Sequence, residues 1–158
     1  MSNREQLHAE YASVMRDFMA TAVFFQDAVA RAAGLNSTDL QALGVLLAQG
    51  SATPGELAQH TGITAGGAIT LLVDRLEKAG FVRRSRDAQD RRKVRITADL
   101  EQVGARLAPL YAGVSEAWNA FLATQTTDQL RIGIAQLQAA VEVNREQTER
   151  LPGGPGRG

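Results

Sequence analysis

The chain has no cysteine and only two histidines, His8 and His60, far apart in 158 residues. Without thiols there are no disulfides, no thiolate metal sites and no cysteine nucleophile or redox sensor. Two isolated imidazoles leave little material for acid–base or metal chemistry, since zinc-type sites gather His, Cys and carboxylates at short spacing. His8 reads as a solvated N-terminal residue and His60 as the end of a short helix, where a cation suits the dipole. Long hydrophobic runs are missing too. Apolar patches such as residues 20–25 and 43–48 fall well short of the ~20 residues that span a bilayer. The first ten residues are polar and charged, so no signal peptide is expected and a cytoplasmic location is the default. A net charge is also lacking, with 17 basic against 17 acidic residues. There is no glycine-rich phosphate loop, no productive carboxylate pair and no Ser/His constellation. An enzyme is therefore not expected, nor a cofactor, nor catalytic or metal-ligating residues.

What is present is ordinary for one globular domain, with 44% hydrophobic and 22% charged residues. The charge, however, is uneven. Between positions 74 and 97 stand nine basic residues and four acids, an excess of +5 balanced by −5 elsewhere. A basic segment on an otherwise acidic chain is an electrostatic footprint for a polyanion, although a solvated charged face gives the same pattern.

Apolar spacing predicts the elements. Leu7, Tyr11, Val14, Phe18 and Phe25 form a helical stripe over residues 4–33, stopped by Gly34. A second helix over 39–49 is expected behind a capping box of Thr38 with Gln41. Thr53-Pro54-Gly55-Glu56 is a sharper start signal, with Thr53 as N-cap, Pro54 at the first helical position and Glu56 completing the box. That short helix, 54–60, runs into a turn at Gly62. Thr64 caps a further helix over 65–79, whose buried face is Ile69, Leu72, Val73 and Leu76. The period then changes to that of strands at 81–86 and 93–97, joined by the polar residues 87–92 as a β-hairpin. A long helix capped by Thr97 is expected over about 98–123. Its heptad-like seam is Leu100, Val103, Leu107, Leu110, Val114, Ala117 and Phe121, with a kink imposed by Pro109. Thr126 with Gln129 caps the last helix, about 127–150, with Leu130, Ile134, Leu137 and Val141 on one face. Residues 151–158 read as a flexible tail.

In order, the middle of the chain is helix, short capped helix, glycine turn, helix and basic hairpin. This is a helix-turn-helix with a wing. The second helix of such a pair fits the DNA major groove, and its free N-terminal amides favour phosphate. A basic hairpin beyond it extends arginine along the backbone or into a narrow minor groove. Ala58 is small, as close packing at the turn requires.

At these residues the chain resembles the MarR family of winged-helix transcriptional regulators. The likeness rests on Leu72-Val73-Asp74-Arg75-Leu76-Glu77-Lys78-Ala79-Gly80-Phe81-Val82-Arg83-Arg84, on Asp87-Ala88-Gln89-Asp90-Arg91-Arg92, and on Val94-Arg95-Ile96-Thr97. With the flanking helices it covers about residues 5 to 150. The resemblance implies a mainly α fold in which a winged helix-turn-helix, residues 36–97, is embedded in a helical dimerisation region, residues 1–35 and 98–150. It implies a homodimeric repressor of double-stranded DNA with a pseudo-palindromic operator. The apolar surface of the first and last two helices agrees, being more than a small winged helix covers.

Candidate DNA-binding residues are Thr53, Thr64, Ala65, Gly66, Gly67 and Thr70 in the helix-turn-helix, and Arg84, Arg86, Asp90, Arg91, Arg92 and Lys93 in the wing. Asp90 and Arg92 match the family's Asp–Arg pair, in which the acid orients the arginine for the minor groove. Gln89 replaces an arginine common there, and Leu71 stands where many relatives carry a polar or basic residue. For Arg75 the expectation is an intramolecular ion pair with Asp74, Asp90 or another nearby carboxylate. Gly66 and Gly67 mark either a close approach of DNA or an inexpensive place in the first turn. Many family members release DNA when a small aromatic or phenolic ligand enters a cleft. Phe18, Phe24, Phe25, Leu43, Leu47 and Tyr111 are the candidates to line one, the alternative being ordinary core. The competing functional readings are a winged helix that binds only protein and a regulator with no small-molecule effector.

Overall fold

A computed structural model describes residues 2–63, 66–87, 90 and 92–151. The expected positions 64, 65 and 91, and the tail from 152 to 158, lie outside the described residues.

The elements follow in the order α1 (Asn3–Ala32), α2 (Ser37–Gln49), β1 (Ser51–Ala52), α3 (Pro54–Thr61), α4 (Gly66–Lys78), β2 (Val82–Arg86), β3 (Val94–Ala98), α5 (Leu100–Ala123) and α6 (Thr127–Arg150). The three strands form one antiparallel sheet in the order β1-β3-β2. Arg84 faces Ile96 and Arg86 faces Val94 across the hairpin, while Ala52 of β1 faces Ile96 on the other edge. The fold class is the expected one, mainly helical with a small wing.

Capping chemistry fixes most boundaries. Thr53 and Glu56 form the expected reciprocal box, the Thr53 N–H donating to Glu56 Oε2 at 2.6 Å and the Glu56 N–H to Thr53 Oγ1 at 3.3 Å. Thr126 and Gln129 do the same for α6. Gly62 ends α3 with φ +68°, a backbone conformation in the left-handed region that other residues resist.

Two expected caps are corrected. Helix α2 is capped by Asn36 with Asp39, not by Thr38 with Gln41. Asp39 supplies the reciprocal bond at the third position and so starts the helix two residues earlier. Helix α5 is capped by Asp99, not Thr97. Thr97 is paired with Ser51 and Arg83 inside the sheet, Ala98 pairs with Val82, and the Asp99 N–H donates to the Phe81 carbonyl at 2.8 Å. The helix starts only after those ladder bonds end. Strand β1, two residues long, was not anticipated. Helix α5 continues through Pro109 within a single assigned helix.

The core gathers Leu43 and Leu46 of α2, Leu57 of α3, Leu72 and Leu76 of α4, Phe81 and Ile96, all fully buried. Val29 and Ala30 close it from α1, and Val103 and Leu107 from α5. Ala58 packs at its margin, as the small residue at the turn suggested. Arg106 of α5 ties the frame together. Its guanidinium donates to the carbonyls of Ala79 (2.6 Å) and Ala33 (3.3 Å), at the ends of α4 and α1, and lies 4.0 Å over the Phe81 ring.

Beyond this core the long helices are bare. No residue of α6 is buried, and Ile134, Leu137 and Val141 are more than half exposed. Leu7, Tyr11 and Val14 of α1 and Phe121 of α5 are likewise exposed. Among the described residues no helix is long and apolar enough to cross a membrane.

Candidate nucleic-acid interface

Helix α4 buries Ile69, Leu72, Val73 and Leu76, and the same 3.6-residue period turns Gly66, Gly67, Thr70, Leu71 and Asp74 outward. The Thr70 hydroxyl donates back to the Gly66 carbonyl at 3.3 Å. A Cβ added at Gly66 or Gly67 would meet nothing within 4 Å, and neither glycine has a positive φ. Among the described residues nothing packs against the pair. They open α4 and so stand in its first turn, where a glycine costs less than the about 1 kcal/mol it costs a helix interior relative to alanine. Thr53 is half-buried and its hydroxyl oxygen is engaged by the Glu56 N–H, so its first task is the cap of α3.

The wing's cations divide into two groups. Arg83 pairs with Asp99. Arg84 sits between Asp74 and Glu77 of α4, and its backbone N–H also donates to Glu77 Oε1 at 3.2 Å. Arg84, expected among the DNA-binding residues, is thus held by two carboxylates and braces β2 against α4. Hydrogen bonding to Asp74, then to Glu77, raises its pKa above the ordinary value. Arg95 joins Asp87 (3.3 Å) to Glu56 at the start of α3 (3.6 Å). By contrast Arg92 and Lys93 are exposed and, among the described residues, form no ion pair. Arg86 is also exposed.

Asp90 is half-buried and organises the turn of the wing. Its N–H donates to Asp87 Oδ1 (3.1 Å), its Oδ1 accepts the Arg92 backbone N–H (3.1 Å), and its carbonyl accepts the Lys93 N–H (2.9 Å). The acid thus fixes the backbone of Arg92 rather than its guanidinium.

Arg75 forms an intramolecular pair, as expected, but with Asp39 of α2 rather than Asp74 or Asp90. Nη2 lies 2.7 Å from Asp39 Oδ1 and Nε 3.2 Å from Oδ2. These bonds raise the Arg75 pKa, against a smaller opposing effect of desolvation. Asp39 is 2% exposed, the one buried charged side chain described, and the sequence argument did not single it out. A carboxylate 36 positions away from its partner carries no local signal.

A cavity of about 660 Å³ lies among α1, α2 and α5. Of the six side chains expected to line a cleft, Leu43, Leu47 and Tyr111 do so. Phe18, Phe24 and Phe25 are not in its lining: Phe18 and Phe24 are exposed, and Phe25 packs edge-on against Tyr111 at 5.6 Å. The α1 wall is Ala22, Val23, Gln26 and Asp27 instead, a stripe that falls between those rings. Gln26 accepts the Tyr111 hydroxyl at 2.7 Å, and Asp27 accepts the Ser37 hydroxyl.

Comparison with known proteins bears on this arrangement. The MarR family model matches residues 35–94. The uncharacterized HTH-type transcriptional regulator YcgE of Bacillus subtilis is 33% identical over 150 residues, covering 95% of this chain and 96% of that one. The chain belongs to the MarR family. As a MarR family member it is a DNA-binding transcriptional regulator. Solved structures agree on the fold. A MarR family protein from Bacillus stearothermophilus superposes with a TM-score of 0.68 at 22% identity, over 90% of this chain and 96% of that one. A mutant of S. aureus MepR bound to an oligodeoxyribonucleotide gives 0.57 at 18% identity, over 84% and 96%.

Proposed function

We propose that this MarR family regulator is a homodimeric repressor. It binds a pseudo-palindromic operator through α4 and the wing, and a small aromatic ligand in the α1–α2–α5 cavity releases it. Residues 36–97 then serve DNA and residues 1–35 and 98–150 serve dimerisation. The observation that carries the dimer is the bareness of α6, a 24-residue helix with no buried residue. In proteins a helix draws most of its stability from packing an apolar face against another element. A second copy of the chain supplies that packing to α1, α5 and α6 together. Two winged helices then present their recognition helices about 34 Å apart, one turn of duplex.

In this reading Gly66, Gly67 and Thr70, with Thr64 and Ala65 before them, meet the major groove. Arg86, Arg92 and Lys93, with Arg91, meet the backbone and minor groove. Asp90 shapes the turn that presents them, and Thr53 offers its half-exposed cap to phosphate. The effector half rests on geometry. The lining of the cavity includes Ser37, Leu40 and Leu43 of α2, the helix whose Asp39 anchors Arg75 of α4. A ligand that moves α2 displaces the recognition helix with it, provided it binds the DNA-incompetent arrangement more tightly.

The test is a fluorescence-anisotropy titration against the intergenic DNA beside the gene, with a scrambled duplex as control and several salt concentrations. Preferential binding with a slope near −0.9 per neutralised phosphate is expected, with release on adding small phenolic compounds. Equal weak binding to both duplexes, or a protein that sediments as a monomer, refutes the operator or the dimer respectively.

A further inference from the structure

The outward face of α4 is chemically unusual for a surface that reads DNA. Residues 66–73 contain no Arg, Lys, Asn, Gln, Asp or Glu. The bidentate pairings that distinguish guanine and adenine are therefore unavailable in the first two turns described. Thr70 is the sole polar side chain there, and its hydroxyl proton is directed to the Gly66 carbonyl. Leu71 is 60% exposed, one helical turn after Gly67. The next outward residue, Asp74, is engaged by Arg84, which competes with any donation to it from a cytosine amino group. An exposed leucine alone is unremarkable on a protein surface. Here it stands one turn beyond two glycines at the start of α4, with open space among the described residues where their side chains would be.

The apolar group that an unmodified base edge presents in the major groove is the 5-methyl of thymine. We propose that α4 reads its operator by apolar contact with thymine methyl groups, with Leu71 as the specificity-determining side chain and Gly67 as the gap that admits the base edge. The proposal deepens the DNA-binding reading above and rests on α4 being the recognition helix. Leu71 contacts the methyl, Thr70 adds its own methyl to the same face, and the missing Cβ at position 67 lets the helix sit closer to the bases than alanine allows. Sequence preference then arises from the placement of thymines within each half-site.

The experiment begins with selection of the preferred duplex from a random pool by the full-length protein. Each thymine of that duplex is then replaced by uracil, which removes only the methyl, and affinities are measured by anisotropy. One symmetric pair of positions is expected to lose about fourfold per uracil, the factor that burial of one methyl group gives. The loss disappears in Leu71→Ala, which keeps its fold because the side chain is exposed. Gly67→Ala is expected to raise the melting temperature while weakening binding to the selected duplex. If uracil matches thymine at every position while the duplex is still preferred over its scrambled control, methyl readout is wrong and the DNA-binding reading stands. A methyl effect that persists unchanged in Leu71→Ala also overturns the assignment. If no duplex is selected, the operator reading itself fails and this proposal with it.

Discussion

The pair between Asp39 and Arg75 makes an asymmetric prediction about stability. Asp39 is buried, with Oδ1 and Oδ2 accepting from Arg75 at 2.7 and 3.2 Å and Oδ2 also accepting the Asn36 N–H at 3.3 Å. The Arg75 side chain is half exposed. Arg75→Ala leaves a buried carboxylate with one hydrogen bond and no counter-ion. Stranding a fully buried charge costs about 3–5 kcal/mol. Water can enter where Arg75 was half exposed, so the expected cost is about 2–3 kcal/mol. Asp39→Ala removes the buried charge itself and gives up one bond in the capping box, while Arg75 turns into solvent. Its expected cost is about 1–2 kcal/mol. The double variant should lie close to Asp39→Ala, because a missing carboxylate has nothing to lose with Arg75. That is a coupling of about 2–3 kcal/mol, the whole cost of Arg75→Ala, between residues that touch. Urea denaturation reads these costs as a midpoint lowered by roughly 1–2 M for Arg75→Ala, given slopes of about 1–3 kcal/mol/M. All proteins are compared at one concentration, since dimer stability depends on it. Two results would refute the reasoning: Asp39→Ala more damaging than Arg75→Ala, or single-variant costs that simply add. A variant Arg75→Ala of unchanged stability but flatter salt dependence for DNA would instead make Arg75 a phosphate contact.

The wing separates cations that hold it from cations that reach out. Arg92→Ala should lose at least tenfold in affinity and flatten the salt slope by about 0.9, with the fold intact by circular dichroism; unchanged binding removes the wing from the mechanism. Arg84→Ala should weaken all duplexes alike with little change in slope, because Asp74 and Glu77 already neutralise that guanidinium; a full loss of one unit in slope would restore it to the phosphate contacts. Leu137→Glu, on the bare face of α6, should shift the protein towards monomer in sedimentation equilibrium, and an unaltered dimer would place the interface elsewhere. The Thr53 backbone N–H, then its hydroxyl, hold the Glu56 carboxyl below its ordinary value of 4.5. A depressed carboxylate pKa contributes stability above the ordinary value and loses it as pH falls through the folded one. Wild type should therefore lose more stability than Glu56→Gln between neutral pH and about pH 3, and identical pH profiles by urea denaturation would contradict the capping account.

Local signals were legible wherever one residue had one plausible partner nearby. Thr53-Pro54-Gly55-Glu56 leaves a single way to start α3, and Ile69, Leu72, Val73 and Leu76 leave a single face to bury. Where the chain offers rival caps in succession, the choice passes to neighbours. Asn36, Ser37 and Thr38 are all able to cap, and Asp39 decides among them by bonding back to Asn36 while also facing Arg75 of α4. Thr97 and Asp99 compete in the same way, and the ladder to β1 and β2 decides for Asp99. The cavity illustrates the same limit. Aromatic residues were the natural candidates for its walls, yet smaller α1 side chains face it, and Phe25 is spent on Tyr111.

The charge of the wing was legible as a sum but not as a distribution. Nine cations against four acids between positions 74 and 97 point to a polyanion. Pairing then assigns Arg83 to Asp99, Arg84 to α4, and Arg95 to Asp87 and Glu56. Arg83, Arg84 and the Arg95–Glu56 pair tie strands of the wing to α5, α4 and α3, and the Arg95–Asp87 pair braces the hairpin itself. Their energy goes into the angle and shape of the hairpin. Arg92 and Lys93 remain beyond Asp90, whose carboxylate, carbonyl and N–H fix the turn that carries them. Preorganisation of this kind lowers the ordering entropy that binding must overcome. It also means that loss of a bracing arginine changes where the wing points, while loss of Arg92 changes what it touches. Salt dependence distinguishes the two, because only the second alters the number of counterions released.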